Sequence, residues 1–136
     1  MDALEAVRAK VPRFPGYGDQ AARQLADGLI RSYVGEALAT LEQRHPEYFA
    51  AAGQQYEALV LRTSFVNQAA FRPFEYAVVD DRFARALADE DLATIDVADR
   101  ANGVEEAALD AYLDEIRATL DRRDKTMSEA QTLEAL

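Results

Sequence analysis

Cysteine is missing altogether, and histidine nearly so, with one in 136 residues. The first absence excludes disulfides, thiolate metal sites and a thiol nucleophile, and leads to the expectation of a reducing, cytoplasmic setting. The single histidine, His45, excludes paired-histidine zinc motifs. Long apolar runs are missing too. No uncharged stretch approaches the ~20 residues a membrane span needs, and the opening MDALEAVRAKVPRF lacks the apolar core of a secretory signal. No membrane association is therefore expected. Basic residues are scarce: 15 Lys and Arg stand against 25 Asp and Glu, for a net charge of −10. That balance argues against nucleic acid, whose phosphates demand a basic surface.

What is present is acid, unevenly placed. Residues 1–79 carry nine acids and eight bases, and residues 116–136 carry four of each. Residues 80–115 carry twelve acids against Arg82, Arg85 and Arg100. Such a window reads either as a solvated helical face or as a docking surface for a protein with a basic surface. Within it, Asp89, Glu90 and Asp91 are the candidate docking site. It is not a calcium loop: with Gly103 at the sixth position of an EF-hand, Ala98, Arg100 and Leu109 would fall where ligands are needed.

The chain as a whole reads as all-α, a single domain over 1–136 of about five helices around a long antiparallel hairpin, 19–44 and 46–71. In the first arm Ala22, Leu25, Ala26, Leu29, Ile30, Tyr33, Val34, Ala37 and Leu41 recur at helical spacing and form a core stripe. Ala21, Gly28, Ser32, Gly35 and Ala39 fall within roughly 60° of one another on a second face. Glycine inside a helix costs about 1 kcal/mol relative to alanine, so this face is expected to pack closely against another helix, of the same chain or of a second copy in a homo-oligomer. Asp19 suits the N-cap, and Pro46 ends the first arm and opens the second. Pro15-Gly16 suits a type II turn. Further helices are expected over about 81–101 and 104–123. Beyond them lies a tail, 125–136, with a capping-box pattern at Ser128 and Gln131, expected to fray or to dock on a neighbour.

Chemistry is thinly signalled. Gly16-Tyr17-Gly18 ahead of a helix has neither a P-loop nor a dinucleotide pattern, and Asp19 would repel an anion. Glu42-Gln43-Arg44-His45 has the Glu-x-x-His spacing of carboxylate di-iron bundles but sits against Pro46 at a helix end, so no metal site is assigned. There is no Gly-x-Ser-x-Gly, and no catalytic residue or cofactor is named. Tyr33, Tyr56 and Asn67, among clustered aromatics, could line a pocket for a small flat ligand. The leading expectation is a non-enzymatic, self-associating interaction module with an acidic docking segment. A ligand-binding bundle is the alternative, and a carboxylate-metal enzyme comes third.

Overall fold

The computed structural model describes residues 2–64 and 80–135, and every regular element in them is helical. Helix α1 spans Ala3–Lys10, α2 Gln20–Arg44, α3 Pro46–Ala52, α4 Gln54–Thr63, α5 Asp81–Asp99 and α6 Leu109–Ala135. Two short 3-10 turns, Arg100–Gly103 and Glu106–Ala108, connect the last two. The all-α bundle expected from the apolar periodicity is what forms. Among the described residues, no helix is long and apolar enough to cross a membrane.

Aspartates start three of the helices. Asp2, Asp19 and Asp80 accept the backbone N–H of Glu5, Ala22 and Phe83 at 2.8, 2.7 and 3.0 Å, each meeting a donor that the first turn leaves unpaired. The segment between α1 and α2 is pinned rather than loose. Arg8 donates to the Phe14 and Pro15 carbonyls, both at 3.1 Å, while Phe14 and Tyr17 are buried edge to face with ring centroids 5.6 Å apart.

Two boundaries differ from expectation. The arm expected over 46–71 breaks at Gly53, whose φ of +54° and ψ of −124° suit glycine and interrupt the helical ladder. Helix α4 then ends at Thr63, and the rest of the arm, Asn67 included, lies outside the described residues. At the other end, the helix expected over about 104–123 continues beyond Arg123. With neither glycine nor proline to interrupt it, α6 runs through Ser128 to Ala135, and Met127 is buried.

Helix α5 is the hub. It packs against α1, α2 and α6, while α3 and α4 lie along α2. Two apolar clusters result. One gathers Val7, Phe14, Ile30, Leu87, Ile95 and Met127, and the other Val34, Leu41, Phe49, Leu59, Leu113 and Leu120. They divide between Ile30 and Val34 on α2 and between Leu120 and Met127 on α6.

The buried face of α2 is rotated from the expected stripe. Leu25 is 48% exposed, whereas Arg23, Asp27 and Arg31 are 5% exposed or less. The rotation, roughly 90°, turns the helix toward its small-residue side. Gly28 is buried there and Gly35 half-buried, but Ala21 and Ala39 remain exposed. A Cβ on Gly35 would lie 3.3 Å from Thr63 Oγ1 and 3.6 Å from Thr63 Cβ, so the close approach at this point is made by the chain's own α4.

Candidate functional site

Charge gathers in two places, and the first is the core. Arg123, 1% exposed on α6, donates through Nη1 to Asp27 and through Nε to Asp91, both at 2.5 Å. Asp27 also accepts Arg31 Nε at 2.9 Å, and Arg31 reaches Asp124 at 3.3 Å and the Arg62 carbonyl at 2.5 Å. Tyr17 donates to the second oxygen of Asp91, and Arg23 donates to the Tyr17 carbonyl at 3.2 Å. Beside them the Thr94 and Thr119 hydroxyls meet at 2.9 Å. Buried charge is tolerated only when paired and hydrogen-bonded, and each of these carboxylates has at least two donors. Burial still raises the Asp91 carboxyl above its ordinary pKa, opposed by Arg123 and by the bond from Tyr17. Burial likewise carries Tyr17 well above the usual tyrosine value, with Asp91 adding to the effect. Arg123 stays firmly protonated: its own burial works against the charge, but Asp91 and Asp27 outweigh it.

This arrangement divides Asp89, Glu90 and Asp91, the residues expected to form a docking site, between surface and core. Only Asp89 is exposed. The Glu90 side chain is 26% exposed and lies 3.8 Å from Arg122, and Asp91 is wholly buried. The spacing held the signal: Asp91 stands four residues after Leu87, and three and seven before Thr94 and Ala98, all on the buried face. Arg23, Asp27 and Arg31 follow the same rule on α2, four residues apart among Ala26, Ile30 and Val34.

The second concentration is at the surface, where α5 ends and α6 begins. Between residues 96 and 115 stand Asp96, Asp99, Glu105, Glu106, Asp110, Asp114 and Glu115, all exposed, against Arg100 alone. A groove of about 610 Å³ opens among them, walled by Val104, Ala108, Ala111 and Tyr112 and rimmed by Asp99, Glu105 and Glu115. Tyr112 is fixed from behind by donating to the Val97 carbonyl at 2.6 Å, and burial pushes its pKa up to about 12. Arg100 pairs with Glu115 and sits 5.9 Å from the centre of the Tyr112 ring. That hydrogen bond raises the guanidinium pKa further. Lys10 meets Asp99 at 3.0 Å, and Tyr33 donates to the other oxygen of Asp99.

The tyrosines considered for a ligand pocket do not line the same space. Tyr33 borders the cluster around Ile30, whereas Tyr56 belongs to the cluster around Phe49 and donates to Glu42 at 3.1 Å. Tyr56 does line a groove of about 560 Å³ with Phe49, Val60 and Leu61, but Tyr33 is not part of it. His45 Nε2 lies 3.2 Å from the Val104 carbonyl, and Glu42 is engaged by Tyr56, so the two ends of the Glu-x-x-His element face different partners. Among the described residues, no three His, Asp or Glu side chains converge as metal ligands.

No protein-family model matches the chain, no curated protein matches it, and no solved structure matches it.

Proposed function

We propose that the chain is a non-enzymatic, cytoplasmic docking module whose partner presents a basic surface, and that docking is centred on residues 96–115 rather than on Asp89–Asp91. One observation carries the reading: seven exposed acids gather at this end of the molecule and outnumber the four cations that reach it, Lys10 at Asp99, Arg44 at the Ala101 carbonyl, Arg100 at Glu115 and Arg117 at Asp114. The buried ion pairs on α2, α5 and α6 are separate from these acids. An excess of one sign on a surface steers an oppositely charged partner and speeds its association, at a cost in self-repulsion that nothing in the core requires. Self-association through the Ala21–Ala39 face has less support, because α4 of the same chain already approaches Gly35.

The test is affinity capture from extract of the native host. Wild-type protein should retain a basic protein at about 0.15 M salt and release it by about 0.5 M, because exposed charges are screened beyond ~8 Å or less at these strengths. The variant with Asp96→Lys, Glu105→Lys and Glu106→Lys should not retain it. An identical set of proteins bound by both would overturn the proposal.

A further inference from the structure

The groove at the α5–α6 connection is more specific than an acidic surface. From its shape and chemistry we infer that it receives an arginine side chain from a segment of the partner protein. The inference rests on the docking reading above and adds to it where the partner sits and what it inserts. The walls are apolar, formed by Val104, Ala108, Ala111 and the ring of Tyr112, while carboxylates occupy the rim. The volume, about 610 Å³, falls in the ordinary range for a site that takes a small group from solvent. Apolar walls with an anionic rim complement a side chain whose stem is apolar and whose tip is cationic.

Arginine fits better than lysine. A guanidinium is planar, weakly hydrated and able to lie against an aromatic ring while donating two hydrogen bonds to a carboxylate, whereas an ammonium holds its water more tightly. The chain's own Arg100 shows part of this arrangement at the edge of the groove, with its guanidinium 5.9 Å from the centre of the Tyr112 ring and one N–H donated to Glu115. That pair is about half exposed on both sides, and exposed pairs hold weakly. Arg100 is therefore a replaceable occupant, competing for the Glu115 carboxylate with the arginine that arrives.

The probe is a fluorescein-labelled, acid-free peptide with three arginines spaced by leucine and glycine, titrated with the full chain in fluorescence anisotropy. Binding should saturate at about 0.15 M salt, and the same peptide with lysine for arginine should bind at least ~3-fold more weakly. Glu105→Lys with Glu115→Gln should weaken the arginine peptide ~10-fold or more, and Arg100→Gln should strengthen it ~3-fold. The control is Asp81→Asn with Asp89→Lys, the same change in charge placed on α5 away from the groove. Asp89 stands roughly 15 Å along the helix from Asp99, beyond the screening length, so this variant should change affinity less than ~2-fold. Circular dichroism and thermal melts of each variant establish that the helices are intact. If the two pairs of substitutions weaken binding equally, or lysine equals arginine, the groove is overturned while the acidic docking reading stands. If neither peptide binds even at about 0.02 M salt, both fall.

Discussion

Two pairings of the same residue types sit at opposite extremes of this molecule. Asp91 with Arg123 is wholly enclosed, and Glu115 with Arg100 is about half exposed. Each brings a carboxylate to a guanidinium, and each has a tyrosine ring or hydroxyl beside it. What differs is the solvent. In water the Glu115–Arg100 attraction is nearly cancelled by what both ions gain from hydration. In the core neither ion has that alternative, so losing one partner leaves the other charged and unsolvated. The enclosed pair is thus part of the fold, and the exposed pair remains available to exchange partners.

The comparison is broken most directly by Asp91→Ala. It strips Arg123 of one of its two carboxylates and leaves the Tyr17 hydroxyl without its acceptor, so urea melts should show a loss of about 3–5 kcal/mol. Combining Asp91→Ala with Arg123→Met should cost less than the sum of the two single changes. A loss for Asp91→Ala near ~0.5 kcal/mol, the scale of an exposed pair, would erase the distinction.

Alkaline pH probes the boundary between the two regions, where tyrosines join the elements. Tyr33, Tyr48, Tyr56 and Tyr112 are each raised to about 12, burial being the largest cause, with Asp99, Asp110 and Glu42 adding to it for the first three. A folded-state value above the unfolded value of 10.0 means that the unfolded chain loses its protons first. The stabilisation is complete below pH 10 and is lost as pH rises toward 12. Stability should therefore fall across that interval, and phenolate absorbance should rise together with unfolding. Tyr76 lies outside the described residues, so phenolate formation near pH 10 by two or more of the six tyrosines in a chain that stays folded would contradict these pairings.

A smaller effect is expected at Gly35→Ala. Helix propensity favours alanine by about 1 kcal/mol, but the new methyl would press on Thr63, a stiff β-branched residue whose hydroxyl is held to the Val60 carbonyl at 2.8 Å. Overpacking costs about 1–3 kcal/mol, so a net loss on the order of 1 kcal/mol is expected, relieved by adding Thr63→Ala. Stabilisation by Gly35→Ala alone would show that α4 yields at this contact. Smallest of all is Glu115→Gln, which should change folding stability by less than ~0.5 kcal/mol. A larger loss would move the exposed pair into the structural class.

The helices were legible because their caps and periodicity are local. Asp19, Pro46 and the apolar repeat of α5 act within a few residues, and the helices begin where those signals stand. The break at Gly53 was harder to see, because a single glycine within a helical pattern is often tolerated. The ionic layer was missed for another reason. A charged residue on an apolar stripe usually belongs to a solvated edge, and only the arrival of Arg123 from a distant helix makes Asp27 and Asp91 tenable inside. The expected surface triad is divided on the same point, since three consecutive acids cannot share one face of a helix and Asp91 is the one turned inward. The groove depends on Arg100–Gly103 and Glu106–Ala108, short turns whose path periodicity does not reveal.

The ionic layer also settles how α5 and α6 are aligned. They run antiparallel, with Asp91 facing Arg123, Thr94 facing Thr119 and Tyr112 reaching the Val97 carbonyl. Leu87 and Ile95 on α5 and Leu113, Ile116 and Leu120 on α6 are apolar residues of similar volume, whose exchange costs less than stranding a charge. Sliding α6 by one turn would exchange such residues for one another, yet it would also set Arg123 against Leu87 or Ile95 and leave a bare guanidinium in hydrocarbon. The charged layer thus works as a key, giving a largely interchangeable apolar seam a single register.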